Sequence, residues 1–494
     1  MKAYKQLEGI FDKVAHLEHL GAIAGWDEAV MMPTGGGKSR AQAMAYLGSL
    51  KHEMLTSSQM ANLLDEASQE SLEFEWQTRN LALMQKKYTQ LSAVPSELIA
   101  EVTEANILAE QAWRQLRADN NWLDFVPLLK KNVFLAKEVA QIKAQALSMS
   151  VYDVMLDDFS PELSQQVIEP IFGQLKSQLP EMMEWIIDKQ KGLELESLAG
   201  HYPHAIQKTM AEELMQCLGF DFVHGRLDES HHPFCGGVAD DVRITTRFNE
   251  DEFISAIMGV CHETGHALYE LGLPRDKLNQ PIGQAYGMAM HESQSLLVEM
   301  QVCRSRHFMP VLQKALIKHF GKQPGFGLDN IYNHYTRVEK SFIRVDADEV
   351  TYPLHVILRY EIEQALFTDK VSVEELPELW DDKMQHYLGL STGNDYANGV
   401  MQDVHWACGL FGYFPAYTFG ALIAAQLYQA ACEHVPEITA CIEQADMKPL
   451  MQWLGQYIHS QGSAKSFDSL LFDATGCQLS AEPFLSHIRQ RYLG

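Results

Sequence analysis

The sequence predicts a mostly α-helical fold with one small β element. Three observations carry this. Apolar residues recur every three or four positions along most of the chain. Strand-like alternation is confined to one short segment. No repeat, low-complexity tract or long flexible linker interrupts the 494 residues. The first stripe is Leu7, Ile10, Phe11, Val14, Leu17, Leu20 and Ala24, one face of a helix. Pro33–Gly37 punctuates next. The run Pro33-Thr34-Gly35-Gly36-Gly37-Lys38-Ser39 imitates a phosphate-binding loop, but Met32 stands where that pattern needs a glycine and no strand precedes it. It therefore reads as a turn between helices. Further stripes cover Leu81–Leu91, Leu128–Leu147, Leu163–Lys191 and Met447–His459, and Pro170 and Pro180 are expected to divide the third of these. The strand signal is Asp241–Phe248, with Val242, Ile244 and Phe248 on one face and Arg243, Thr245 and Arg247 on the other. Leu198–Pro203 and Lys322–Gly327 are weaker breaks. The chain reads as one domain over 1–494, with an N-terminal helical part over about 1–200, a central part carrying the reactive motifs over about 201–425 and C-terminal helices over about 426–494.

Composition narrows the function. With 46% hydrophobic and 21% charged residues, the chain is neither disordered nor collagenous. Asp and Glu number 65 against 39 Lys and Arg, a net charge of −26 that repels phosphate backbones and argues against nucleic-acid binding. An anionic substrate would need a dedicated Arg or Lys. The eight cysteines form no C-x-x-C pair and read as free thiols in a reducing compartment. Met1–Glu8 lacks the apolar core of a secretion signal. Phe419–Ala431, the most apolar run, is too short to span a bilayer. A soluble, cytoplasmic protein without membrane partners is expected.

One motif carries chemistry on its own. His262-Glu263-Thr264-Gly265-His266 matches H-E-x-x-H. Residues i and i+4 share a helix face, so both imidazoles can bind one metal, and the Glu between them can reach a water beside it. Phe253, Ile254, Ile257, Met258, Cys261, Leu268 and Leu271 stripe the surrounding helix. Asn249 with Glu252 reads as its capping pair and Gly272 as its stop. A catalytic zinc needs a third protein ligand. Glu292, 26 residues after His266, can return on a second helix after a loop over Gly272–Gly283. Glu299, two turns on, competes for that place but reads better as a supporting or surface group. His291 is expected to point elsewhere on the helix, as a packing group or a support behind the ligands. A Cys-rich structural zinc site fits poorly, because Cys261 projects about 100° from His262. One Zn²⁺ per chain is expected, with Co²⁺ or Mn²⁺ able to substitute.

Further segments line up in order: His232-Pro233-Phe234; Asp241, Arg243 and Thr245 as D-x-R-x-T; the 262–266 motif; His291 to Gln294; Ile343–Asp348 as I-R-x-x-A-D; and Gly399–Trp406 as G-x-x-Q-D-x-H-W. Trp26–Gly37 and Tyr152–Pro161 fit the same pattern. Together they resemble the carboxypeptidase Taq family of metallocarboxypeptidases across nearly the whole chain. Cys235, Cys261 and Met288-Ala289-Met290 are small departures, and none replaces a ligand. The resemblance implies a large helical zinc-peptidase fold with a deep substrate groove and a homodimer. It also implies release of single residues from peptide C-termini, with broad specificity that bars proline.

Glu263 is then the general base and later acid, taking a proton from the attacking water and passing it to the leaving amine. A substrate carboxylate calls for the planar fork of an arginine. Arg344, inside the Ile343–Asp348 motif, is the first candidate and Arg243 the second. Either can instead be held in an ion pair, Arg344 with Asp346 or Asp348 and Arg243 with Asp241. His405, Tyr413 and Tyr417 are candidates to stabilise the developing oxyanion or touch substrate, and His232 with Phe234 to shape the groove. Aromatics in such a run also serve as core. Tandem His231-His232 lacks partners for a second metal. His201, His204 and His319 read as surface or satisfied groups. The alternatives are a zinc endopeptidase or dipeptidase on the same fold, or a catalytically silent peptide-binding helical protein. A binder has no need of Glu263.

Overall fold

In the computed structural model, which describes residues 1–494, the chain folds into twenty α-helices and one three-stranded sheet. The first four helices are α1 (Lys2–Val30), α2 (Gly37–Thr56), α3 (Ser58–Ser68) and α4 (Glu75–Ala93). They enclose a small core of their own, in which Leu7, Phe11 and Val14 meet Leu63, Leu64, Leu81 and Met84. Glu70 accepts hydrogen bonds from the backbone N–H groups of Ala3 (2.9 Å) and Tyr4 (3.1 Å), satisfying first-turn donors of α1. The stripe expected along α1 is only half used, for Leu20 is 63% exposed. The helix runs past the small core, and its buried Trp26 packs instead beneath the guanidinium groups of Arg226 and Arg243. The Gly-rich run after Pro33 is a turn, a short 3-10 segment leading into α2.

Next come α5 (Ser96–Ala118), α6 (Trp122–Leu147), α7 (Val151–Phe159) and α8 (Gln165–Gln190). Here the sequence reading is corrected, because α8 continues through both Pro170 and Pro180. An internal proline costs about 3 kcal/mol. Burial of Ile168, Ile171, Phe172, Leu175, Leu179, Met182, Met183 and Ile186 along one face offsets it, at about 1.5–3 kcal/mol per side chain.

Helix α9 (His204–Leu218) leads into β1 (Gly225–Glu229), β2 (Phe234–Val238) and β3 (Asp241–Thr246). The order is β1-β3-β2, with β3 parallel to β1 and antiparallel to β2. Only the central strand was legible. Its Val242 and Ile244 are buried as expected, but so is Thr245, whose hydroxyl receives the Phe234 N–H at 3.1 Å. β1 is rich in charge and β2 is Phe-Cys-Gly-Gly-Val, so neither alternates cleanly.

The remaining helices are α10 (Ile254–Gly272), α11 (Met288–Leu296), α12 (Met309–Phe320), α13 (Leu328–Tyr335), α14 (Tyr352–Phe367), α15 (Leu376–Leu388), α16 (Pro415–His434), α17 (Ile438–Glu443), α18 (Lys448–Tyr457), α19 (Phe467–Thr475) and α20 (Glu482–Ile488). α11 continues without a break as a π-helical segment, Leu297–Cys303. The start of α10 also departs from expectation. Phe253 is the cap residue, Glu252 accepts the Ser255 N–H at 3.1 Å, and Asn249 turns the chain one step earlier by accepting from Asp251. Gly272 is the last helical residue rather than the one beyond. One continuous core runs from Trp122 to Tyr492, and α11 lies within it between α10 and α16. Being enclosed, α16 is apolar on almost every side. No helix is long and apolar enough to cross a membrane.

Candidate metal centre and active site

His262 and His266 sit one turn apart on α10, and Glu292 faces them from α11. Their ligand atoms all lie within 4.8 Å of one another, with His262 Nε2 3.7 Å from Glu292 Oε2. Donors about 2.0–2.1 Å from a tetrahedral centre sit roughly 3.4 Å apart, so this set fits one divalent cation. The two Nδ1 atoms are engaged elsewhere, which leaves each Nε2 for a metal. His262 Nδ1 lies 2.9 Å from Glu299 Oε2, and Glu299 is held in turn by Arg304. Behind the second ligand, His266 Nδ1 lies 2.6 Å from His291 Nδ1, and His291 Nε2 lies 2.9 Å from Glu270 Oε1. Each of the two histidines is thus oriented from behind, directly or through His291, by a carboxylate, as the ligands of a metal would be.

His291 stands behind His266 in the position of a supporting group, as expected, but its ring turns toward the cluster rather than elsewhere on the helix. Glu270 was missed, although 262, 266 and 270 step by four along one helix face. Glu299 lies behind His262, where a supporting group would stand.

Two glycines permit the approach. A Cβ at Gly265, inside the H-E-x-x-H motif, would lie 2.5 Å from Gln294 O and 2.6 Å from Ser295 Cα on α11. One at Gly420 of α16 would lie 2.5 Å from Glu292 Cβ. Gly420→Ala is therefore expected to cost about 1–3 kcal/mol of stability and to displace Glu292. A thermal melt and metal content after dialysis check this, and a variant that melts and holds metal like wild type would remove Gly420 from this role.

Glu263 lies between the histidines, 8% exposed. Burial, reinforced by Glu292 and Glu299 and opposed by His262, raises its carboxyl to about 7, in the range that suits a general base. Burial alone would lower His262, but the hydrogen bond and charge of Glu299 lift it to about 9. A cavity of about 650 Å³ opens beside His291 and Glu270, walled by His16, Glu18 and His19 of α1 and by Asp240.

A second polar group gathers around Arg344, where the two late motifs interlock. Gln402 accepts the Arg344 backbone N–H at 2.8 Å, and Asp403 Oδ1 accepts its Nε and Nη2 at 3.0 and 2.8 Å. The expected competitors Asp346 and Asp348 do not hold it. Asp348 is occupied by the backbone N–H groups of Glu339, Val350 and Thr351. Arg344 Nη1 donates to the Tyr352 hydroxyl, and the guanidinium carbon lies 4.8 Å from the Tyr417 ring centroid. His405 Nε2 is 3.2 Å from the Tyr417 hydroxyl, and the Tyr413 and Tyr417 rings are 5.2 Å apart. Tyr417 and Gly420 share a face of α16, which sets this group beside Glu292. Glu363, fully buried, accepts from Tyr152 (2.7 Å), Trp406 Nε1 (2.8 Å) and Gly412 N (2.8 Å), anchoring the loop that presents His405 and Tyr413.

The remaining candidates stand apart. Arg243 makes a two-pronged pair with Asp241 (2.9 and 2.6 Å) while stacking on Trp26. His232 is exposed beside His231 at the start of β2, and no hydrogen bond joins it to the three donors. His204 and His319 pair with Glu229 and Glu213. All eight cysteines are free.

Comparison with known proteins agrees with this geometry. A family model described as carboxypeptidase Taq (M32) metallopeptidase matches residues 6–492. Thermostable carboxypeptidase 1 of Thermus thermophilus is 36% identical, over 99% of this chain and 98% of that one. Carboxypeptidase 1 of Bacillus subtilis is 34% identical, over 99% and 97%. Among solved structures, metallocarboxypeptidase 1 of Trypanosoma cruzi superposes with a TM-score of 0.98 at 38% identity, covering all of both chains. The M32 carboxypeptidase of Deinococcus radiodurans superposes with a TM-score of 0.95 at 30% identity, over 100% of this chain and 99% of that one. With family match, full-length relatives and a convergent donor set in agreement, the chain belongs to the carboxypeptidase Taq (M32) family of metallopeptidases and is a metallocarboxypeptidase.

Proposed function

We propose that this enzyme holds one zinc ion on His262, His266 and Glu292 and releases single amino acids from the free C-termini of peptides. The observation that carries the proposal is the two-histidine, one-carboxylate donor set together with the buried guanidinium of Arg344 against Tyr417, on the face of α16 that meets Glu292 at Gly420. Two nitrogens and one carboxylate oxygen are a catalytic-type zinc set with room for a further ligand, and Co²⁺ or Mn²⁺ suits the same donors. When bound, zinc polarises the scissile carbonyl and lowers the pKa of a coordinated water.

The chain's own residues do the rest. Arg344 pairs with the terminal carboxylate and so sets the scissile bond one residue from the end. Glu263 takes the proton of the attacking water and delivers it to the leaving amine. Tyr417 or Tyr413, with His405 hydrogen-bonded to Tyr417, donates toward the oxygen on which charge develops. Both guanidinium groups already hold an aspartate, and Arg344 is preferred to Arg243 because it lies against Tyr352 and Tyr417, whereas Arg243 stacks on Trp26. Broad specificity with a bar on C-terminal proline, a homodimer and a cytoplasmic setting complete the proposal, the last supported by eight free thiols.

The test is a mixed peptide pool followed by mass spectrometry. Peptides with free C-termini are expected to shorten one residue at a time, while amidated twins persist, because a neutral amide cannot form the two-pronged ion pair. Arg344→Ala is expected to lower kcat/KM by an amount equivalent to about 2–5 kcal/mol. Equal rates on free and amidated peptides would favour an endopeptidase.

A further inference from the structure

Arg344 shares its carboxylate. Arg359 of α14 is fully buried, and its Nε donates to Asp403 Oδ2 at 2.7 Å. Its Nη2 lies 2.6 Å from the same oxygen, off the hydrogen-bond axis, and its Nη1 donates to the His355 carbonyl at 2.6 Å. Arg344 occupies the other oxygen. One anion therefore serves two guanidinium groups.

The neighbours do not restore balance: Glu363, the buried carboxyl nearest Arg359 along α14, is taken up by Tyr152, Trp406 and Gly412 and is raised by burial to about 7. Burial first, with the two arginines adding, lowers His405 to about 4 and His355 to about 3, so both rings are neutral near pH 7. The remaining contacts are aromatic. Arg359 lies 4.5 Å from the Trp380 centroid and 5.4 Å from that of Phe414, and Arg344 lies 5.6 Å from Phe414. The buried triad Arg344–Asp403–Arg359 thus carries one surplus positive charge inside a chain of net charge −26. An unmatched buried charge is expensive. It is stable only where the structure offers compensation, and of the two cations only Arg344 reaches the tyrosine cluster beside Glu292.

We propose that Arg359 is a positioning residue for substrate recognition: by taking half of Asp403, it leaves Arg344 with uncompensated charge for an incoming C-terminal carboxylate. Without Arg359, Asp403 would neutralise Arg344 and repel the substrate's own carboxylate. The inference rests on the carboxypeptidase reading of the site.

Its test separates binding from chemistry. KM is measured for a peptide with a free C-terminus, and the amidated twin is titrated as a competing ligand, in wild type, Arg359→Gln and Arg359→Lys. Neither constant depends on the fraction of active enzyme, so partial misfolding cancels. Arg359→Gln is expected to raise KM for the free acid by about tenfold or more, with the inhibition constant of the amide little changed. Arg359→Lys, which keeps the charge, is expected to recover most of the loss. If Arg359→Gln does not fold, Asp403→Asn carries the test. Removing the shared anion is expected to hold or lower KM for the free acid, whereas an Asp403 needed only to hold Arg344 in place would raise it, and that result overturns the proposal. An Arg359→Gln enzyme with wild-type KM, or an Arg359→Lys enzyme as impaired as Arg359→Gln, overturns the proposal. A wild type that binds acid and amide equally overturns the carboxylate reading itself, and the role of Arg359 with it.

Discussion

Glu263→Gln is expected to keep its metal and lose about 10²–10⁴ in kcat, the usual reach of a positioned general base. That loss corresponds to about 3–5 kcal/mol of barrier. The amide matches the carboxylate in size and sits on the same turn of α10, so packing in a site only 8% exposed is preserved. What it lacks is a place to hold a proton. The three donors that converge within 4.8 Å do not include Glu263, so metal content per chain after dialysis is expected to match wild type. The pair of measurements separates two roles that lie one residue apart. Turnover near the wild-type rate removes Glu263 as the base, and loss of metal together with turnover makes it a ligand.

Glu292→Ala is expected to lose metal on dialysis, with the helical fold retained, because it deletes one of three ligands and leaves two histidines. Glu299→Ala is expected to weaken metal binding by about 10–100-fold without abolishing it, since Glu299 orients His262 through Nδ1 rather than occupying the coordination sphere. A thermal-shift titration reads both. Metal that binds only the folded state raises the melting temperature by an amount that grows with the logarithm of its affinity. Added Zn²⁺ should therefore stabilise wild type strongly, Glu299→Ala less, and Glu292→Ala least. The reverse order for the two variants would transfer the third ligand to position 299.

The candidate metal site was legible because its logic is local. His262, Glu263 and His266 fall on one turn, and a spacing of four on a helix is enough to aim two imidazoles at one point. The strand at Asp241–Thr246 was visible for the same reason, a period of two written in adjacent residues. Its partners were not, because Gly236 and Gly237 carry no pattern and the charges of Arg226, Asp228 and Glu229 mask one. Pro170 and Pro180 misled for the complementary reason. Local propensity argued for breaks, and eight buried side chains along α8 outweighed it.

Sequence by itself thus determined the helical class, the pairing of His262 and His266 on one helix face with Glu263 between them, and, through the ordered motifs, the family. Tertiary structure alone decided what stands behind each of those residues. Glu270 reaches His266 only through His291, and Arg344 meets Asp403, 59 positions away, rather than the aspartates two and four residues along its own segment. Arg359 and Glu363 became visible only once α14 lay against the loop before α16. The physical reason is the range of the interactions. Helix periodicity and ligand spacing are set by backbone geometry within one turn. The partner of a buried charge is set by which distant elements the core packs together, and glycines such as Gly265 and Gly420 acquire meaning only when another helix arrives within 2.5 Å of where a Cβ would stand.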